Sequence, residues 1–170
     1  MANTPKALDD LFHDMLKDVY YAEKQVLKAL PKMARMAQSP ELKKAFETHK
    51  EQTSEQIERL GEVFEMIGKA PRGKTCEAIL GILDEGKSVM EEYADSPALD
   101  AGLVASAQAV EHYEITRYGT LKAWAQQLGH KDAVKLLEAT LAEETQTDDL
   151  LTKISGTTNK AAVQKPAKAA

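Results

Sequence analysis

The chain is poor in the residues that carry the commonest kinds of chemistry. It has one cysteine, one tryptophan and three phenylalanines in 170 residues. A lone Cys76 excludes an internal disulfide and any CxxC metal site or redox pair, and its ordinary role is that of a small buried side chain. No run of about 18 apolar residues exists, so no membrane span is expected. The opening MANTPKALDDLF lacks the apolar core of a signal peptide, and the expectation is a cytoplasmic protein. Net charge is −5, with the basic residues scattered through Glu-rich sequence. Nucleic acid is therefore not an expected partner, because no basic block is present to neutralise phosphates.

What is present is 43% hydrophobic and 29% charged, the composition of a globular domain long enough for one core. Apolar residues recur at three- and four-residue steps, which predicts helices throughout. The first runs from about Pro5 to Ala37, with Thr4-Pro5 as N-cap and first turn. Its stripe is Leu8, Leu11, Phe12, Met15, Val19, Ala22, Val26, Leu30 and Met33, and Pro31 could kink it or end it early. Ser39-Pro40 opens a second helix that Gly68 stops, with Leu42, Ala45, Phe46, Thr53, Ile57, Leu60, Phe64 and Ile67 facing inward. Glu51, Glu55, Glu58 and Glu62 form its solvated face. A turn-rich connector leads to a shorter amphipathic segment after Thr75, weakened by Gly81 and Gly86.

A third long helix runs from about Pro97 to Leu128 and is closed by Gly129. The fourth follows, with Ala133, Leu136, Leu137, Leu141, Leu150, Leu151 and Ile154 as its stripe. The domain is expected to span residues 1–156, and the Ala/Lys-rich tail 157–170 to pack weakly or against a partner. An insert between the second and third long helices suits a bundle with one long crossover.

Several carboxylates fall where apolar residues belong. Glu111 and Glu114 share a face of the third helix with Ala107 and Val110. Glu23 stands between Val19 and Val26, and Glu144 and Asp148 lie on the line from Leu137 and Leu141 to Leu151. On the second helix His49, Gln52 and Gln56 are polar and inward. An unpaired buried carboxylate is very costly, so each must be protonated, ion-paired or metal-bound. Depth matches too: Glu114 and Glu144 are equidistant from Gly129, and a hairpin about Ser39 sets Glu23 level with a point between Gln52 and Gln56. With no inward lysine among them, the pattern predicts a hard-cation site with oxygen ligands. The alternative is a core network of Glu, Gln, His and Tyr, to which Tyr20, Tyr21, Tyr113 and Tyr118 could donate.

Four separated motifs carry a resemblance. Asp18-Val19-Tyr20-Tyr21-Ala22-Glu23-Lys24-Gln25, Gln56-Ile57-Glu58-Arg59-Leu60, Ala109-Val110-Glu111-His112-Tyr113-Glu114-Ile115 with Tyr118-Gly119-Thr120-Leu121, and Thr140-Leu141-Ala142-Glu143-Glu144 with Asp148 resemble the YciE/YciF family of bacterial stress-associated proteins. The resemblance covers residues 6 to 155. It implies an all-α, ferritin-like four-helix bundle with a long crossover carrying an extra short helix, a homodimer, and a metal site. The implied metal is iron, as one or two ions, with manganese as the other choice. The metal residues expected on these grounds are Glu23, His49, Gln52, Glu111, Glu114, Glu144 and Asp148. The glutamines stand where full di-iron members of the superfamily carry Glu-x-x-His, so one half of a dinuclear site is poorly provided. No catalytic residue is assigned; a redox-active centre of this kind would react with peroxide or oxygen. His112 is expected at the surface, Trp124 against the crossover helix or a second subunit, and dimerisation through the crossover helix or an adjoining face.

Overall fold

The computed structural model describes residues 5–163. Among them are five helices and no strand: α1 Leu8–Met36, α2 Pro40–Met66, α3 Glu77–Glu92, α4 Leu99–Gln127 and α5 Lys131–Ala162. Local chemistry sets the ends. α1 begins at Leu8 rather than at Pro5, because the Asp10 carboxylate accepts from the Ala7 amide at 3.0 Å and takes over the capping; Thr4 lies outside the described residues. Pro31 neither ends nor breaks α1. Ser39 caps α2 through its side chain, with Pro40 in the first turn. Gly68 and Gly129 adopt φ of 67° and 80°. There the amides of Lys69 and His130 close back on the carbonyls of Phe64 and Ala125, both at 2.9 Å, ending α2 and α4 sharply. α5 does not stop at Gly156: it continues to Ala162 and buries Thr158. Residues 164–170 of the expected tail lie outside the described residues.

α1 pairs with α2 and α4 with α5, and the two hairpins close through α2 against α5 and α1 against α4. The crossover begins low on α1, where the Lys74 amide reaches the Lys17 carbonyl at 3.1 Å. It ends at the opposite pole, beside the turn between α1 and α2. α3 lies across α1 and α4, and a glycine on each side of the α3–α4 contact, Gly86 on α3 and Gly102 on α4, lets the two helices pack closely. A Cβ at Gly102 would stand 2.5 Å from Val89 Cγ1, and one at Gly86 would stand 3.3 Å from Ser106 Cβ. Of the large apolar side chains from Ile79 to Tyr93, only Tyr93 is exposed, at 45%. Trp124 packs with Phe12, Leu16 and Leu121 in a cluster to which α3 contributes no residue, so its expected place against the crossover is not where the fold puts it.

The inward positions repeat at alternating steps of three and four. On α1 they are Phe12, Leu16, Val19, Glu23, Val26, Leu30 and Met33. Leu11, expected inward, is 48% exposed, and Leu16 takes its place in the core. On α5 they are Ala133, Leu137, Thr140, Glu144, Thr147, Leu151, Ile154 and Thr158, which leaves Leu150 39% exposed. This is the phase of nearly parallel packing between long helices.

One buried carboxylate fastens one pole of the bundle. Asp100, in the first turn of α4, accepts from the amides of Gln38 at 2.8 Å and Ser39 at 2.6 Å, so it docks the start of α4 on the α1–α2 turn. Asp100→Ala orphans both amides, for a loss of about 3 kcal/mol and a fall in Tm of roughly 6–12 °C for a chain of this size. Thermal unfolding checks this, with Asp132→Ala, at an exposed ion pair, expected to leave Tm nearly unchanged.

Candidate metal centre

The core is divided. One apolar cluster extends from Ala22 and Val26 toward Met33, Leu103 and Ile79, and a second from Val19 toward Phe12, Phe64 and Leu137. Between them lies a polar band. The same three-and-four spacing that fills the two clusters places Glu23 on α1, His49, Thr53 and Gln56 on α2, Glu111 and Glu114 on α4, and Thr140, Glu144 and Thr147 on α5. All of them are buried. The threonines are satisfied: Thr53 donates to the His49 carbonyl at 2.8 Å and Thr147 to the Glu143 carbonyl at 3.0 Å within their own helices, and Thr140 accepts from Arg59 of α2 at 3.3 Å. The acids do not. Both oxygens of Glu114 and of Glu144, one each of Glu23, Glu111 and Gln56, and both ring nitrogens of His49 have no hydrogen-bond partner.

Donor atoms of His49, Glu111, Glu114 and Glu144 lie within 4.8 Å of one another. Ligands held at about 2.1 Å by one cation are at most about 4.2 Å apart, so a contraction of about half an ångström closes the four around an ion. Three carboxylates and an imidazole suit a divalent iron or manganese ion. Glu23 adjoins this quartet. Tyr118 donates to its Oε1 at 2.5 Å, leaving Oε2 free.

Electrostatics marks the same atoms. Burial, then the negative charge of Glu144, pushes the Glu23 carboxyl well above its ordinary value, against the opposing hydrogen bond from Tyr118. Burial followed by neighbouring carboxylates does the same to Glu111 and Glu114. Glu144 rises to about 7, chiefly through burial. Burial lowers His49 to about 4, so its ring is neutral at pH 7, the form that ligates. His49 Nε2 is 3.5 Å from Glu111 Oε1. Four acids pressed together in a dry layer cannot all ionise unless positive charge joins them.

The expected ligands therefore divide. His49, Glu111, Glu114 and Glu144 converge, with Glu23 beside them. Gln52 and Asp148 do not join them. Gln52 is half-buried in a surface groove with Lys44, Thr48 and Gln146, because Thr53 takes the inward position. Asp148 is displaced by Thr147 and turns outward, accepting from Gln108 Nε2 at 2.9 Å and lying 3.2 Å from Nε2 of the exposed His112. Of the four tyrosines, Tyr118 reaches the cluster. Tyr113 points to the crossover, donating to Asp18 at 2.7 Å. Its oxygen lies 3.1 Å from Cys76 Sγ, so the thiol of this buried N-cap residue must be the donor to it. Glu143 and Arg59 also stand at the centre, where no periodicity marks them. Arg59 holds both Glu143 oxygens, at 2.7 and 2.8 Å, strapping α2 to α5. Burial works against the Glu143 charge, but Arg59 and Gln56 override it and keep the carboxyl below its usual range.

Four long helices, a full-length crossover and a carboxylate–histidine layer at mid-bundle define a ferritin-like helical bundle. The chain belongs to the family described as domain of unknown function DUF892, whose model matches residues 7–164. It is 45% identical over 152 residues to protein YciF of Escherichia coli K12, covering 88% of this chain and 91% of that one. The crystal structure of YciF, described as an E. coli stress protein, superposes with a TM-score of 0.88 at 41% identity, over 92% of this chain and 99% of that one. YcfI of Rhodopseudomonas palustris, described as a candidate structural protein, superposes with a TM-score of 0.85 at 46% identity, over 89% and 97% of the two chains.

The sign of the pH dependence follows from these shifts. A carboxyl raised on folding contributes stability that is complete below its unfolded value, and loses it as pH rises through the folded one, about 7 for Glu144. His49, lowered on folding, acts in the opposite sense as pH falls from 6.5 toward 4. In chelator, then, the protein is expected to lose stability as pH rises from about 5 to 7, by up to about 1.4 kcal/mol per pH unit for each acid still protonated, with His49 offsetting one such group below 6.5. Thermal melts across that range check it, and a flat or rising Tm would contradict the assignment.

Proposed function

We propose that the protein is a metal-binding bundle of stress physiology, whose centre holds iron, with manganese as the competing ion. The observation that carries the reading is the set of buried donor atoms without partners, contributed by all four long helices and gathered in one layer. His49, Glu111, Glu114 and Glu144 would hold the ion, and Glu23 beside them would add a further carboxylate to the site. An iron bound there would supply one-electron redox chemistry toward oxygen or peroxide. The chain's own residues supply the rest: carboxylates that exchange protons for metal, a neutral imidazole, and Tyr118 fixing one Glu23 oxygen. The stress role is supported by the description of the similar E. coli protein. A homodimer belongs to the same proposal, supported by the exposed Tyr93 at the end of α3 and the partly buried Leu80, Ile82 and Val89 along it, and sedimentation at micromolar concentration reads it directly.

The second reading, a structural protein with a polar core, has the Tyr118–Glu23 hydrogen bond in its favour. Elemental analysis separates the two. Iron or manganese is expected at about one or two ions per chain, lost in Glu111→Ala and Glu144→Ala while helicity persists. The metal-free protein should respond the other way: Glu114→Gln relieves a buried acid and is expected to stabilise it by about 1–2 kcal/mol. A wild-type protein that cannot be loaded would establish the structural reading.

A further inference from the structure

Gln56 is fully buried on α2, two helical turns from His49 and on the same face. Its Nε2 donates to Glu143 Oε2 at 3.0 Å. Glu143 is itself immobilised, since Arg59 grips both of its oxygens and also reaches Thr140 Oγ1 at 3.3 Å. A carboxylate only accepts, so the amide has a single orientation: nitrogen toward Glu143, oxygen away from it. Oε1 is thereby left buried without a partner, on an amide close enough to the Glu144 carboxyl to act against the rise that burial gives it. A strap between α2 and α5 needs only Arg59 and Glu143. Adding Gln56 to it orphans a buried carbonyl oxygen, a costly arrangement unless something electropositive meets that oxygen.

We propose that Gln56 Oε1 is a neutral oxygen ligand to the cation of this centre, and that Glu143 and Arg59 are positioning residues that turn it inward. The inference rests on the metal reading above and adds the α2 ligand that Gln52 does not supply. The charge balance explains the choice of an amide. Glu23, Glu111, Glu114 and Glu144 already set four carboxylates against one or two divalent ions. A carboxylate at position 56 would add a fifth, next to the anionic Glu143, whereas an amide oxygen donates without charge.

The test titrates cobalt(II) into the full-length, metal-free protein, reading affinity by calorimetry and coordination by visible absorption. Gln56→Met keeps the side-chain volume and removes the oxygen; Glu143→Ala keeps the oxygen and frees it to turn. Each is expected to weaken cobalt binding by roughly 10–100-fold, and the double variant to bind no more weakly than Gln56→Met alone, because Glu143 acts only through Gln56. In the metal-free protein, nitrogen-15 NMR should show Gln56 side-chain amide protons protected from exchange, with protection lost in Glu143→Ala. Wild-type affinity and spectrum in Gln56→Met would overturn the inference alone, as would additive losses in the double variant. A wild-type protein that takes up no cobalt would overturn the metal reading and this inference with it.

Discussion

The constraint on which this bundle depends is the burial of several carboxylates in one layer between two apolar clusters. Desolvation and mutual repulsion both oppose ionisation there, and each raised acid in the layer ties folding to protons or to a cation. Everything else in the architecture is compatible with an ordinary helical bundle: sharp glycine stops, an N-cap serine, heptad-like inward spacing and close α3–α4 contact. Without the polar band the two clusters would merge into one core, and the molecule would have no feature that calls for a ligand.

The outer polar contacts gain meaning from the band they enclose. Arg59–Glu143 on one side and Gln108–Asp148 with His112 on the other join α5 to its neighbours at the level of the buried acids. Exposed ion pairs contribute little to stability. These contacts matter more through geometry, because they fix the rotation of α5 and hence which of its residues face inward. Glu143 and Glu144 are neighbours in sequence with opposite fates: one is paired with an arginine and held ionised, the other is dry and raised.

The bundle, its crossover and the acidic layer could be read from the sequence because all three are periodic. Glu23, Glu111, Glu114 and Glu144 interrupt apolar stripes at matching depth, and helix rise converts that depth into proximity. Gln52 and Asp148 were misplaced for a specific reason. Following apolar residues alone lets Leu11, Ile57, Leu141 and Leu150 into the stripes, and each shifts the phase by one position, about 100° of rotation. Strict alternation of three and four along α2 and α5 passes through Thr53, Gln56 and Thr147, which leaves Gln52 and Asp148 off the inward line. The orientation of the Gln56 amide was beyond the sequence, since it is set by Glu143 and Arg59 from two different helices. Asp100 was missed because its partners are backbone amides, which no residue pattern marks.

The distribution of the band over the chain has a consequence for assembly. Glu23, His49 and Gln56 belong to the α1–α2 hairpin, whereas Glu111, Glu114 and Glu144 belong to the α4–α5 hairpin. Each hairpin can form from local contacts, with its own acids still in water. The acids are dehydrated only when the hairpins meet, so the electrostatic penalty is concentrated at the last, most non-local step of folding. A cation captured at that step acts as a clasp between two halves rather than as a nucleus for either. The same complementarity exists between hairpins of different chains, which makes exchange of hairpins between two copies a natural misassembly of this fold when the clasp is withheld.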